Sequence, residues 1–141
     1  MSEEEKYILQ VKDLHTSFFT DNGEVQAVNG VNFNLKAGET MGIVGESGSG
    51  KSVTAYSIMQ ILAETGKVTQ GEILFNGENI LNWNEKQLEK FRGEKISIIF
   101  QDPMTSLNPT FTIGWQLIEA IRLHTDKDKK QAWDRAVEML T

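Results

Sequence analysis

A chain of 141 residues is long enough for one domain with a real core, and 39% hydrophobic with 24% charged residues is the balance of a soluble globular protein. The formal net charge of −6 argues against nonspecific nucleic-acid binding, and no basic cluster offsets it, because Lys127, Lys129 and Lys130 alternate with Asp126 and Asp128. The absence of cysteine excludes disulfides, thiolate metal sites and iron–sulfur clusters, and no apolar run reaches membrane-spanning length.

The acidic opening, Met1-Ser2-Glu3-Glu4-Glu5-Lys6, is neither a signal peptide nor a lipidation site. Residues 7–14 alternate loosely and suggest a first strand. Asp21-Asn22-Gly23 reads as a turn into a second, where Val31, Phe33 and Leu35 alternate with Asn32, Asn34 and Lys36 as in a half-solvated antiparallel strand. After the turn Ala37-Gly38-Glu39, Thr40 to Val44 reads as a short buried strand and Ser52 to Leu62 as a helix. Thr65-Gly66 ends the helical pattern, and residues 71–77 form a short strand running into an Asn-Gly turn. Asn84 with Gln87 three residues later marks a capped helix that should end near Gly93. Lys95 to Phe100, rich in isoleucine, reads as another buried strand, and Pro103 to Pro109 as a loop. Ile113, Leu117, Ile118 and Ile121 share one helix face; Ala132, Trp133, Ala136, Val137 and Leu140 share another. That last pattern reaches Thr141 without a cap or turn signal, which suggests a chain cut within a domain.

Between the Thr40–Val44 strand and the following helix lies Gly45-Glu46-Ser47-Gly48-Ser49-Gly50-Lys51-Ser52. It matches the phosphate-binding P-loop pattern G-x-x-x-x-G-K-[ST] at every fixed position, in the strand–loop–helix context the motif requires. The glycines let successive N–H groups of residues 45–53 curl around a phosphate chain, and the helix opening there adds its positive end. Lys51 brings a point charge to the β- and γ-phosphates, the Ser52 hydroxyl is placed for Mg²⁺, and Val53 continues the first helical turn. Glu46 occupies a variable position, and its side chain should face outward. The competing reading is a Gly/Ser-rich turn without ligand.

Further residues narrow the class. The stretch Asn29 to Thr40 resembles the segment before the P-loop in ATP-binding cassette (ABC) ATPases, residues 71–77 resemble that family's G-x-I-x-x-x-G hairpin, and Ile98-Ile99-Phe100-Gln101-Asp102-Pro103 is similar to its Q-loop. Lys51 and Gln101 are 50 residues apart (101 − 51), a separation compatible with the family. Residues 45–54 together with Phe100 to Pro109 resemble the ATP-binding subunit of oligopeptide/dipeptide importers, specifically the one of its two paired ATPases usually lettered D. The resemblance runs from Tyr7 onward; the 100–109 block is its specific part.

The resemblance implies an α/β P-loop NTPase core with an antiparallel β subdomain over residues 1–105, and a helical subdomain beginning at 106–141 and truncated there. It implies ATP and Mg²⁺ as ligands, with Phe18 stacking on adenine, unless Phe18 is apolar filler or Phe19 does the stacking. Gln101 would reach Mg²⁺ or the attacking water, joining Lys51 as a catalytic residue and Ser52 as a metal ligand, and Met104 to Pro109 would lie beside the groove that receives a permease. The implied partners are a second ABC ATPase subunit, transmembrane permeases and, indirectly, an extracytoplasmic peptide-binding protein, with the subunit peripheral on the cytoplasmic face of the membrane. Residues 1–141 contain neither an LSGGQ-type signature segment nor an apolar strand ending in Asp-Glu. The expectation is therefore ATP binding without turnover for this chain, and ATP-driven peptide import for the full subunit. The alternatives are an importer of a related solute such as nickel or glutathione, a nucleotide-binding remnant, and a soluble P-loop kinase, for which no acceptor site or lid is visible. His15 and His124 share no motif, Trp83, Trp115 and Trp133 read as core or interface anchors, and Asp126 to Lys130 reads as a solvated helix start.

Overall fold

The computed structural model describes residues 7–102 and 106–141. The acidic opening, and Pro103, Met104 and Thr105 of the 100–109 block, lie outside the described residues. Two units divide the chain, one through Leu88 and one from Glu89 to Thr141.

In the first unit the sheet is built on β1 (Tyr7–Thr20) and β2 (Gly23–Lys36), then β3 (Gly66–Phe75) and β4 (Glu78–Asn79). All pairings are antiparallel, in the order β2-β1-β3-β4, so β1 is paired along both edges. Turn chemistry explains the hairpins. Asp21 and Asn22 reverse the chain, and Gly23 takes the φ of 117° that closes the first one. Asn76 (φ 49°) and Gly77 (φ 87°) form the two-residue loop between the paired Phe75 and Glu78, the positive-φ pair that suits the twist of a tight hairpin. Both β1 and β3 outrun their sequence expectations, because Thr16, Ser17 and Phe18 pair with Val68, Lys67 and Gly66 beyond the apolar cores of either strand. Val11, Leu14, Ile73 and Ile80 are fully buried, with Val28, Ile58 and Met59 nearly so.

A bulge interrupts β1 at Asp13, whose φ is 47°. Polar groups secure it. Asn32 Oδ1 accepts from the Asp13 N–H (2.8 Å), Gln70 Nε2 donates to Asp13 Oδ2 (2.6 Å), and His15 Nε2 lies 3.1 Å from Asp13 Oδ1. Hydrogen bonding from Gln70 and then from His15 holds the Asp13 carboxyl below its usual value of 3.8. His15 is thereby a half-buried structural histidine.

Helix α1 (Lys51–Met59) follows the glycine-rich loop. It stops short of the expected Leu62 because Gln60 turns left-handed (φ 53°), while the Ile61 N–H reaches the Tyr56 carbonyl and the Gln60 N–H the Ser57 carbonyl. That is the hydrogen-bond pattern of a Schellman stop, here with glutamine where glycine is usual. A short 3₁₀ turn (Ile80–Asn82) ends just before Trp83.

Helix α2 (Glu85–Glu94) has the expected capping box: Asn84 Oδ1 accepts from the Gln87 N–H (3.1 Å) and Gln87 Oε1 accepts from the Asn84 N–H (3.0 Å). Helices α3 (Ile113–His124) and α4 (Lys129–Leu140) belong to the second unit. Asp128 and Gln131 form the capping box that opens α4, as the charge run predicts. Gly114 lies under the Trp133 ring, Phe111 and Trp115 stack at 4.5 Å, and Ala132 and Ala136 are buried. Trp115 and Trp133 remain about half exposed.

Two expected strands do not form. Residues 40–44 and 95–100 carry no strand pairing, and Val44 and Ile99 are 94% and 97% exposed. An apolar β-branched run becomes a buried strand only when neighbouring backbones take up its N–H and C=O groups on both sides. Among the described residues, all strand pairing is within the β2-β1-β3-β4 sheet.

Candidate functional site

The phosphate-type loop is shaped by three glycines with different tasks. Gly48 has a φ of 78° in open space. Gly45 lies against Ser49, whose Oγ is 2.6 Å from where a Cβ would stand. Gly50 combines a φ of 86° with a close approach, since its Cβ would lie 2.5 Å from the Ala27 carbonyl oxygen. That carbonyl comes from β2, where Thr16 and Ser17 of β1 face Val28 and Gln26 and leave Ala27 as the extra, bulged residue. The bulge therefore brings β2 onto the start of α1. Its sequence signal is the adjacent apolar pair Ala27-Val28, which breaks the alternation kept by Val31, Phe33 and Leu35.

Lys51 folds over the loop. Its Nζ donates to the carbonyls of Gly45 (2.8 Å) and Glu46 (2.7 Å), and more weakly to Ser49 Oγ (3.3 Å). The ammonium thus sits in the hollow of the loop, while the Glu46 residue is exposed. The first intrahelical bond of α1 runs from the Thr54 N–H to the Gly50 carbonyl (2.8 Å), so the N–H groups of Lys51, Ser52 and Val53 precede it. Gly50, the N-cap, has no side chain to satisfy them. Ala27 and residues 48–53 line a cavity of about 140 Å³ here. Three helix-start N–H groups and an ammonium form a donor set for an anion, and the Ser52 hydroxyl beside them is an oxygen ligand of the type Mg²⁺ takes. The residues present therefore fit a phosphate chain with its Mg²⁺. Among the described residues no group of three or more His, Asp or Glu gathers to hold a metal.

Other parts of the first unit support this loop. Ser57 Oγ donates to the Val53 carbonyl (2.7 Å), so its 2.8 Å bond with Thr16 Oγ1 has Thr16 as donor. This buried pair joins β1 to α1, and nothing in the local pattern of either segment announces it. Phe18, two residues beyond Thr16, is half-buried opposite Val25 and Gly66. Phe19 is more exposed, and its N–H donates to the Thr65 carbonyl (2.8 Å).

Gln101 lies in the second unit, exposed, at a bend after residues 95–100. Downstream, Gln116 of α3 secures the loop that continues the 100–109 block. Its Oε1 accepts from the Asn108 N–H (2.8 Å), and its Nε2 donates to the carbonyls of Asn108 (3.0 Å) and Phe111 (3.1 Å).

The family model described as ABC transporter matches residues 28–141. The oligopeptide transport ATP-binding protein OppD of Escherichia coli is 54% identical over 133 residues, which are 94% of this chain and 39% of that protein. The dipeptide transport ATP-binding protein DppD of Lactococcus lactis is 47% identical over 137 residues, 96% of this chain and 39% of that one. The bacterial ABC transporter cassette MJ0796, solved as a dimer and in a post-hydrolysis state bound to ADP and Pi, superposes with a TM-score of 0.77 at 26% identity, covering 92% of this chain and 54% of that one. This chain spans about two fifths of the length of the transport proteins it matches.

Proposed function

This chain belongs to the ABC transporter family, and from that premise we propose that it binds Mg-ATP on residues 45–53 and, in the complete subunit, powers peptide import by ATP hydrolysis. The observation that carries the reading is the Lys51 ammonium held in the hollow of the loop beside the N–H groups that open α1. Lys51 exchanges the Gly45 and Glu46 carbonyls for β- and γ-phosphate oxygens. The N–H groups of Lys51, Ser52 and Val53 that open α1 hold the same phosphates, while the Ser49 N–H stays bonded to the Glu46 carbonyl (3.2 Å). Ser52 would hold Mg²⁺, which when bound supplies charge neutralisation at the phosphate oxygens, and Gln101 keeps the role the family resemblance implies, toward Mg²⁺ or the attacking water. Phe18 stacks on the adenine.

The peptide assignment is supported by the descriptions of the OppD and DppD relatives, and pairing with a second ATPase by the dimeric cassette MJ0796. Transmembrane permeases complete the proposed assembly, with an extracytoplasmic peptide-binding protein delivering the solute and this subunit peripheral on the cytoplasmic face. No described helix is long and apolar enough to cross a membrane. Residues 106–141 open the helical subdomain. Turnover requires a general base and a signature segment, and residues 1–141 contain no Asp-Glu strand end or LSGGQ-type stretch to provide them.

Calorimetric titration of the 141-residue chain tests the proposal. Wild type should bind Mg-ATP, and Lys51→Ala should lose at least about tenfold in affinity, as loss of a charge-assisted contact implies. Equal affinities would sink the reading. Phosphate release should be absent from both preparations, and clear release by wild type that Lys51→Ala abolishes would contradict the second half.

A further inference from the structure

Gly66 is a glycine that its backbone does not require. It is absent from the residues with positive φ, and it opens β3 directly across from Phe18. What demands the missing side chain is the neighbouring ring. A Cβ on Gly66 would stand 2.8 Å from Phe18 Cε1, and 3.2 Å from both the Ala63 carbonyl oxygen and Leu62 Cβ. The backbone cannot open to relieve that contact. The Gly66 N–H is bonded to the Ala63 carbonyl (2.7 Å), and the Phe19 N–H to the Thr65 carbonyl (2.8 Å). The phenyl ring is the movable partner, and a change of χ1 to another staggered position carries it several ångströms away.

We propose that Gly66 is a positioning residue for nucleotide recognition: by leaving room for the Phe18 ring at the edge of β3, it holds the ring where it receives the base. The inference rests on the reading above, in which Phe18 stacks on adenine. It divides the site into two separable parts. Gly45 to Val53 bind the phosphates whatever base is attached, and the Phe18–Gly66 pair adds the preference for a nucleotide over a bare polyphosphate.

Titrating the 141-residue chain with Mg-ATP and with Mg-tripolyphosphate distinguishes these parts. Phe18→Ala should weaken Mg-ATP about tenfold, the scale of one base–aromatic stack, and leave tripolyphosphate unchanged. Gly66→Ala should weaken Mg-ATP by about three- to tenfold, also without changing tripolyphosphate. In a Phe18→Ala background, Gly66→Ala should have no further effect, because the two act through one ring. Unchanged affinity for Mg-ATP in Gly66→Ala overturns the inference. So does an equal loss for both ligands, which marks general damage to the fold, or a full additional loss in the double variant. Full ATP affinity in Phe18→Ala overturns the stacking reading itself, a result distinct from failure at Gly66 alone.

Discussion

Gly50 shows how much a single missing side chain decides. Its φ of 86° and its 2.5 Å approach to the Ala27 carbonyl are separate demands, and only glycine meets both. Gly48 shares the first demand, with φ 78°, but has nothing within 4 Å. The two alanine substitutions should therefore differ. Gly48→Ala should cost about 1 kcal/mol, the scale of one left-handed residue, whereas Gly50→Ala should cost about 2–4 kcal/mol because strain and overpacking add. Urea unfolding at neutral pH measures both, and equal midpoints for the two variants would contradict the role given to Ala27. At this scale the sequence was largely legible. The P-loop pattern marks Gly45, Gly50, Lys51 and Ser52 because the geometry is built from consecutive residues. Gly66 carries no such mark, because its partner Phe18 is distant in sequence.

At the scale of elements, one of the contacts between the P-loop helix and the sheet is polar. Thr16 is fully buried in β1 and donates to Ser57 of α1, which in turn donates to the Val53 carbonyl. Thr16→Val alone, or Ser57→Ala alone, leaves the remaining buried hydroxyl short of a partner and should cost about 1–2 kcal/mol. The double variant should cost less than the sum of the singles by about 1 kcal/mol, since replacing both partners removes the unmet demand. A double-mutant cycle in urea reads that coupling, and strict additivity would mean that the hydroxyls do not act as a pair. Element types and starts follow the sequence closely where a local signal exists, as at Asn84, Asp128 and the Asn76-Gly77 hairpin. The end of α1 does not follow it, because the left-handed stop falls on Gln60, a residue with no strong preference for that conformation.

For the molecule as a whole, two apolar segments set the terms. Val44 in the first unit and Ile99 in the second are almost wholly exposed. Each presents β-branched apolar surface to water, which favours association. Val44→Thr and Ile99→Thr should each leave the unfolding midpoint of the isolated chain nearly unchanged, within about 0.5 kcal/mol as for other surface substitutions, while lowering self-association in sedimentation velocity. A large loss of stability in either variant would show that the side chain is packed in solution. The sequence by itself determined what is carried by neighbours along the chain: the hairpin turns, the helix caps, the phosphate-type loop and the family to which its motifs point. Each depends on a few consecutive backbone conformations, which residue type controls directly. The tertiary structure alone decided which strands find partners, that β2 bulges at Ala27 to meet Gly50, that Thr16 reaches Ser57, and that Phe18 rests on Gly66. These depend on pairings between distant segments, and strand propensity in residues 40–44 and 95–100 records only a readiness to pair, not the presence of a neighbouring strand.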